Sequence, residues 1–206
     1  MTIERPSPLA VPGFILASGS PRRRQLLDEA GYKFEVIAPP VEEVSHDWLT
    51  IRELTACNAM RKAAHVAKML PEAVVLGADT LVGLDCHILG KPADLQAAAK
   101  TLRRLSGRTH EVWTSVCLRH SVLGKAQTVQ VVSRVTFHHL TESDIRRYFA
   151  KVNPLDKAGA YAAQGLGKEI IERIDGSYSN VVGLPMERTL SALAAFGITP
   201  GFTSSR

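Results

Sequence analysis

The chain of 206 residues is 45% hydrophobic and 22% charged, the composition of a globular protein, and no apolar run approaches the roughly 20 residues that a membrane-spanning helix needs. Its three cysteines form no Cys-x-x-Cys pair, which argues against a disulfide framework or a zinc site and predicts a cytoplasmic protein. The charge of +5 permits an anionic partner without choosing among nucleic acid, a membrane surface and a phosphorylated small molecule.

The first half of the chain alternates short apolar runs with amphipathic stretches. Ser20 and Pro21 suit the beginning of a helix, and Gly31 suits its end. Thr50 and Glu53 have the spacing of a capping box, which opens a second helix. The predicted strands are residues 14–17, 34–38 and 73–78, the last ending at Asp79, and the predicted helices are residues 22–30 and 54–70.

The second half continues this alternation. Its predicted helices are residues 95–105, 141–149 and 185–196, and its predicted strands are residues 111–119, 128–139 and 168–174. Because strands and helices alternate without a break in composition, the sequence predicts one mixed α/β domain over residues 1–206. A leader (1–12) and a tail (201–206) are expected to be disordered.

A loop of small residues followed by three arginines, residues 18–24, is the first candidate for a functional site. Backbone N–H groups at a helix N-terminus attract anions, and Ser18 and Ser20 add hydroxyl donors. Arg22 to Arg24 supply planar cationic donors suited to phosphate, although they oppose the helix dipole unless an anion is bound. The pattern alone fits a phosphate site and a solvated basic helix start equally well.

Asp79 follows a predicted buried strand, at a place where α/β sheets gather ligands. A carboxylate there can hold a divalent metal or act as a general base on water, but a lone Asp at such a place more often caps or turns the chain. Glu42 and Glu43 follow an earlier strand. Oxygen ligands of this kind suit Mg²⁺ or Mn²⁺ better than zinc.

Two further segments carry polar residues among glycines and prolines. Lys91 lies in a Gly-Lys-Pro turn, where lysine is usually a solvated residue. Residues 154–165 are rich in small residues that allow a ligand close to the backbone, and they include Lys157 and Gln164. The amide of Gln164 can read the edge of a base, while a flexible surface loop is the alternative interpretation.

In this order the motifs resemble those of the Maf family. Each motif is weak by itself, but seven of them at the family's spacing, from about Phe14 to Phe196, make a specific match. The segments are Leu-Ala-Ser-Gly-Ser-Pro-Arg-Arg (16–23), Glu-Glu (42–43), Gly-Ala-Asp-Thr (77–80), Gly-Lys-Pro (90–92), Leu-Ser-Gly-Arg-Thr-His (105–110), Asp-Lys-Ala-Gly-Ala-Tyr (156–161) and Val-Val-Gly-Leu-Pro (181–185).

The resemblance implies an inosine triphosphatase-like (Maf/Ham1) α/β fold, with an elongated mixed sheet flanked by helices and a cleft between two lobes. It also implies hydrolysis of a nucleoside triphosphate to the monophosphate and pyrophosphate with Mg²⁺ or Mn²⁺. In that reaction Asp79 matches the proton acceptor, and Glu43 and Asp79 are expected on the metal side. The positions that match substrate-binding residues are Arg22, Thr80, Gln164, Ser18, Lys91 and Lys157, of which the first three are associated with substrate choice.

The same motifs resemble the branch of the family that acts on dTTP and UTP, whereas the 7-methyl-GTP branch usually departs at these points. The expected substrates are dTTP and UTP, together with modified pyrimidine nucleotides, and the alternatives are CTP and 7-methyl-GTP. The family resemblance also allows a homodimer. The rival class of function is a non-catalytic regulator of cell division that binds nucleotides or nucleic acid. The basic residues are grouped with small loops and acids, which favours a catalytic pocket over nucleic-acid binding.

Overall fold

A computed structural model describes residues 13–201 and shows a seven-stranded mixed sheet with helices on both faces. The predicted leader (1–12), and the predicted tail apart from Gly201, lie outside the described residues. The strands are β1 (Phe14–Ala17), β2 (Glu35–Val36), β3 (Val74–Leu84), β4 (His87–Leu89), β5 (Thr109–His120), β6 (Lys125–Phe137) and β7 (Ile171–Asp175). The helices are α1 (Pro21–Glu29), α2 (Ile51–Met69), α3 (Leu95–Leu105), α4 (Glu142–Phe149), α5 (Tyr178–Val182) and α6 (Met186–Ala195).

The sheet combines a short parallel part with a long antiparallel part. Its strand order is β2-β1-β3-β5-β6-β7, with β4 paired separately to β3. β1 runs parallel to both β2 and β3. The remaining pairs, β3 with β5, β5 with β6 and β6 with β7, are antiparallel. This arrangement confirms the predicted α/β class with a mixed sheet flanked by helices. Within residues 13–201, no helix is both long and apolar enough to cross a bilayer.

Most predicted elements are present. The differences arise from strand pairing, from a 3₁₀ turn and from segments too short to predict. The strand at 14–17 and the helix at 95–105 are confirmed residue for residue. The strand predicted to end at Asp79 continues to Leu84, because β5 pairs with it as far as Gly83. The strand predicted at 168–174 begins only at Ile171, since residues 165–169 form a 3₁₀ turn. β4 and α5 were not predicted, since segments of three and five residues are too short to show a period.

The helix caps follow the sequence closely, with one exception. Thr50 accepts a hydrogen bond from the N–H of Glu53, and the Glu53 carboxylate accepts one from the N–H of Thr50, as the capping box predicts. Ser20 does occupy the N-cap of α1, but its side chain accepts no capping hydrogen bond. The hydroxyl of Ser18 instead accepts the N–H of Ser20 at 3.3 Å.

The long central strands pass through separate hydrophobic cores with a polar belt between them. Near its beginning, β3 contributes Leu76 to a core with α1 and α6, and near its end it contributes Leu84 to a core with α3 and α4. The residues between these cores are polar: Asp79 pairs across the strands with Ser115, and Thr80 pairs with Thr114. The sheet is therefore continuous, but its middle is built to carry polar side chains.

Candidate active site

A crevice opens where one edge of β3 has no neighbouring strand. β1 pairs with β3 only as far as Gly77, and β4 pairs with it again from Val82. Of the intervening residues, Asp79, Thr80 and Leu81 line a cavity of about 580 Å³ that lies beyond the carboxyl end of β1. This is the position at which α/β sheets hold ligands. Five cationic and three acidic side chains line the cavity: Arg22, Arg23, Lys62, Lys91 and Lys157, with Glu43, Asp79 and Asp156.

Successive side chains of β3 point to opposite faces of the sheet, so Asp79 and Thr80 meet different helices. Asp79 contacts Lys62 of α2, whereas Thr80 contacts Arg23 of α1. The crevice at the end of β1 exposes both sides of the strand to the same cavity. Two adjacent residues thereby connect the two helices to one site.

Helix α2 lies unusually close to β3 because Gly77 has no side chain. A Cβ atom on Gly77 would lie 2.5 Å from the carbonyl oxygen of Ala59 and 2.6 Å from the amide nitrogen of Ala63, which is too close for any side chain. Ala59 and Ala63 are themselves small and fully buried. This close contact brings Lys62, the residue before Ala63, within reach of Asp79 two residues along the strand.

Lys62 joins the two carboxylates that the sequence placed on the metal side. Its Nζ atom lies 2.7 Å from Oδ1 of Asp79 and 2.7 Å from Oε1 of Glu43. Nδ2 of Asn58 lies 3.4 Å from the other oxygen, Oδ2, of Asp79. Asp79 is 3% exposed, whereas Glu43 lies at the surface of the cavity with a side chain 43% exposed. Buried Asp79 and exposed Glu43 therefore both bind the same cation, the Lys62 ammonium.

Burial and the shared cation give the two carboxyl groups different affinities for a proton. Burial raises the pKa of Asp79 above its ordinary value, although the Lys62 ammonium acts in the opposite direction. Partial burial works to raise the pKa of Glu43 as well, but there the hydrogen bond and charge of Lys62 prevail and lower it. Asp79 is the more basic of the two, as a general base on water requires.

On the opposite face of β3, Arg23 is the centre of a buried hydrogen-bond network. Its Nε atom donates to the carbonyl oxygen of Gly183 at 2.8 Å, and its two terminal nitrogens donate to the hydroxyls of Ser18 and Thr80, each at 3.0 Å. Burial lowers the pKa of Arg23, while the nearby Asp79 carboxylate opposes that shift. The guanidinium places the loop after β1, the middle of β3 and the end of α5 around one side of the cavity.

The direction of this network leaves the Ser18 hydroxyl hydrogen available. Thr114 donates to the carbonyl oxygen of Asn180 at 3.1 Å, so the contact of 2.9 Å between Thr80 and Thr114 uses the hydrogen of Thr80. Thr80 and Ser18 both accept from Arg23, and Ser18 also accepts the N–H of Ser20. Ser18 lines the cavity, where its own O–H can donate to an anionic ligand.

Cations from three segments of the chain lie at the rim of the cavity. Nη1 of Arg22 lies 3.5 Å from Oδ2 of Asp156, and Nζ of Lys157 donates to the other oxygen of Asp156 and, at 2.7 Å, to the carbonyl oxygen of Asn153. Lys91 also lines the cavity and is exposed to solvent, and the carbonyl oxygen of Gly90 before it accepts the N–H of Gly159 at 3.2 Å. Seven of the eight residues expected from the sequence therefore line one cavity: Ser18, Arg22, Glu43, Asp79, Thr80, Lys91 and Lys157.

Gln164 is the exception among the expected site residues. It is half-buried at the N-cap of the 3₁₀ turn over residues 165–169, and the lining of the cavity stops at Ala163, one residue earlier. Gln164 is therefore adjacent in sequence to the wall of the cavity but does not form part of it.

Asn58 and Lys62 were not singled out from the sequence, and Arg23 was named only as one of three arginines suited to phosphate, although a signal for each was present. Arg23 precedes the buried Leu27 by four residues, so it occupies the inward face of α1. Asn58 and Lys62 are likewise four residues apart and interrupt the small, apolar face of α2 that contacts β3. Polar residues at helical spacing within a buried face indicate a buried polar site.

Comparison with known proteins agrees with the motifs and the geometry. A family model described as "Maf-like protein" matches residues 13–196, most of the chain. The chain belongs to the Maf family. The resemblance drawn from the seven motifs is thereby confirmed.

Several relatives match almost the whole of this Maf chain. A protein of Pelotomaculum thermopropionicum named "dTTP/UTP pyrophosphatase" is 46% identical over 183 residues, which are 89% of this chain and 96% of the relative. Proteins with the same name from Bacillus cytotoxicus and Akkermansia muciniphila are 46% and 45% identical, covering 89% and 91% of this chain and 95% and 98% of their own lengths.

A solved structure of the Staphylococcus aureus Ham1 protein is more distantly similar. It matches with a TM-score of 0.44 and 14% sequence identity over 60% of this chain and 71% of the Ham1 chain. A likeness at this level does not by itself establish shared chemistry.

Proposed function

We propose that this Maf protein hydrolyses dTTP and UTP to the monophosphate and pyrophosphate. The observation that carries the proposal is the buried Asp79 carboxylate, of raised pKa, at one side of a cavity lined by five cationic side chains. The names of relatives about 45% identical over nearly their whole lengths support the same substrates.

The charges in the cavity suit a triphosphate. A triphosphate brings several negative charges, and five cationic side chains surround the cavity: Arg22, Arg23, Lys62, Lys91 and Lys157. The free O–H of Ser18 and the N-terminus of α1 add donors on the same side. Charge-assisted hydrogen bonds of this kind both bind phosphate and stabilise charge that develops as a phosphate leaves.

Asp79 provides the base for the hydrolytic step. In this proposal its carboxylate accepts a proton from a water molecule whose oxygen attacks the α-phosphorus. The bond from the α-phosphorus to the bridging oxygen of the β-phosphate breaks, and pyrophosphate leaves with that electron pair. Burial, which raises the pKa of Asp79, strengthens it as a base. Lys62 and Asn58 hold both carboxylate oxygens in place.

The residues present fit a divalent cation as a partner of the substrate. Carboxylate oxygens of Glu43 and Asp79 both contact the Lys62 ammonium, so the two acids converge on one position that carries positive charge. Within residues 13–201, no cluster of three or more His, Cys, Asp or Glu side chains is suitable for a metal. Glu43 and Asp79 would therefore hold Mg²⁺ or Mn²⁺ together with phosphate oxygens and water, as Mg²⁺ commonly prefers. When bound, such a cation would neutralise negative charge on the phosphates.

Nucleotide choice is proposed to depend on Arg22, Thr80 and Gln164. Thr80 lines the cavity, and its hydroxyl is bonded to Arg23 and Thr114, so its fixed position shapes the wall more than its hydrogen-bonding capacity does. Arg22 is held through Asp156 at the rim. Substituting any of these residues should alter relative rates among dTTP, UTP and CTP more than overall stability.

Two further proposals accompany the activity. The cytoplasm is the proposed location, because the substrates occur there and Cys57, Cys86 and Cys117 are all free thiols. A homodimer is proposed as the assembly on the basis of the family resemblance, and sedimentation of the purified protein tests it.

The test is release of pyrophosphate from dTTP, UTP, CTP and 7-methyl-GTP in the presence of Mg²⁺ or Mn²⁺. The wild type is expected to prefer dTTP and UTP, and Asp79→Asn is expected to lose about 10²- to 10⁴-fold in kcat, the usual contribution of a general base. Asp28→Asn, an exposed carboxylate on α1, is the matched control. Near-normal turnover by Asp79→Asn, or a wild type inactive on all four nucleotides, would contradict the proposal.

A further inference from the structure

The loop between α4 and β7 presents Asp156 and Lys157 to the cavity from a strained backbone. Gly159 and Ala160 follow each other in the left-handed region, with φ of +70° and +63°. Ala160 is fully buried, and a residue with a Cβ atom rarely adopts such a conformation. Conformations of this kind persist only where surrounding contacts determine them.

Tyr161, the next residue, anchors that strained turn in the core beside the cavity. Its side chain is 6% exposed, and its ring lies edge-on to the rings of His110 and Phe137. A hydrogen bond of 2.8 Å joins its hydroxyl to Nε2 of His110. A Cβ atom on Gly159 would lie only 3.2 Å from the Tyr161 ring, so the turn and the ring fit closely. Tyr161 also lines the cavity, which links the anchor directly to the site.

His110 is a buried polar side chain that takes no part in the proposed chemistry. It is 2% exposed, does not line the cavity, and its Nδ1 atom has no hydrogen-bond partner within residues 13–201. Burial lowers its pKa to about 4, so the ring is neutral near pH 7 and has one N–H. If that hydrogen is on Nδ1 it has no acceptor, and if it is on Nε2 the Tyr161 hydroxyl hydrogen has none among the described residues.

A purely apolar pair would fill this core without the unsatisfied group. The pair of His110 and Tyr161 differs from an apolar pair because its hydrogen bond has a defined direction and length. That bond fixes where the Tyr161 ring lies. We propose that His110 is a positioning residue: through Tyr161 it fixes the turn at Gly159 and Ala160, and so holds Lys157 and the Asp156–Arg22 pair in the geometry that binds the triphosphate. The proposal rests on the proposed function for the identity of the ligand.

The geometry predicts which kinetic constant the pair controls. Lys157 and Arg22 belong to the rim, whereas Asp79 and Lys62 belong to β3 and α2, whose packing does not involve the Tyr161 hydroxyl. Loss of the hydrogen bond should therefore weaken substrate binding and leave the chemical step nearly unchanged. A purely structural role would instead reduce the folded fraction, which lowers the apparent kcat and leaves KM as it is.

The first test is Tyr161→Phe, which removes one hydroxyl and retains the ring. KM for dTTP is expected to rise at least tenfold, with kcat within threefold of the wild type. Tyr32→Phe is the matched control, because Tyr32 is also 6% exposed but lies in the core formed with α1 and α6. An unchanged KM for Tyr161→Phe, or an equal rise for Tyr32→Phe, overturns the proposal.

The second test is rescue at position 110. The amide nitrogen of Gln can occupy nearly the place of Nε2 and bond the Tyr161 hydroxyl, whereas Leu fills space without a polar atom. His110→Gln is expected to keep KM within threefold of the wild type, and His110→Leu is expected to raise it at least tenfold. Equal KM values for the two variants overturn the proposal.

A third measurement is independent of activity and separates this proposal from the proposed function. In Tyr161→Phe and in His110→Leu, backbone amides of residues 157–163 should exchange hydrogen at least tenfold faster than in the wild type, while those of α2 exchange unchanged. If the wild type hydrolyses no nucleoside triphosphate, the proposed function fails, and the exchange rates still decide whether His110 fixes this turn. Unchanged exchange in residues 157–163 overturns the positioning role.

Discussion

The Nζ atom of Lys62 lies 2.7 Å from Oδ1 of Asp79, and the two side chains are only 12% and 4% exposed. This pair joins α2 to the middle of β3, and its ammonium opposes the rise that burial causes in the pKa of Asp79. An ion pair at this depth is strongly destabilised when one partner is removed, because the other is left as an uncompensated buried charge. The pair is thus part of the stability of the fold as well as of the site.

Lys62→Met should therefore lower the free energy of unfolding by about 3 kcal/mol, through the unpaired Asp79 carboxylate. Adding Asp79→Asn should restore most of that loss, since the buried charge is then gone. Urea unfolding of both single variants and the double variant measures this coupling. Lys68→Met, an exposed position on the same helix, should change little. Strictly additive losses in the double variant would show that the two side chains act independently.

Arg23→Lys should destabilise the protein by about 2 kcal/mol and raise KM. A lysine ammonium cannot reproduce the fork that bonds Gly183, Ser18 and Thr80, so buried acceptors are left unsatisfied. Arg24→Lys is the matched control, because that side chain is 66% exposed one residue away. Thermal unfolding and dTTP kinetics give the two readouts. Similar behaviour of the two variants would contradict the network described for Arg23.

Gly77→Ala should destabilise by about 1–3 kcal/mol and also lower kcat. The added methyl group meets the backbone of α2 at Ala59 and Ala63, and the helix must move away from β3, taking Lys62 with it. The control is Gly13→Ala, where an added Cβ has no atom within 4 Å. Unfolding and single-turnover hydrolysis separate the two effects. A stable Gly77→Ala protein with normal kcat would mean that α2 need not approach so closely.

His110 should make the protein less stable as the pH falls. Its pKa is lowered by burial from 6.5 to about 4 in the folded state, so the unfolded chain binds the proton more readily between those values. The contribution is complete above pH 6.5 and is lost as the pH falls towards 4, amounting to about 3 kcal/mol. Urea unfolding of the wild type and His110→Leu across this range measures it. The free energy of unfolding of the wild type should fall relative to that of His110→Leu as the pH is lowered, and a constant difference would contradict the shift.

Local signals in the sequence predicted most elements because they depend on neighbouring residues. The capping box of Thr50 and Glu53 and the apolar run of β1 each involve contacts within a few positions. The end of β3 was predicted too early, since the pairing of β3 with β5 extends the strand beyond Asp79 and is a non-local contact. Short elements such as β4 have too few residues for a period to be visible.

The sequence by itself determined the mixed α/β class and the family, and seven of the eight site residues expected from it line the cavity, because motif order and local periodicity are properties of the chain. Only the tertiary structure shows which other side chains these site residues contact. Lys62 and Asp79 are 17 residues apart, and Arg23 and Thr80 are 57 apart, so each contact depends on how helices pack against the sheet. The net charge of +5 favours no particular ligand, whereas the placement of a few cations around one buried carboxylate supports the proposed triphosphate, since electrostatic interactions depend on distance and burial.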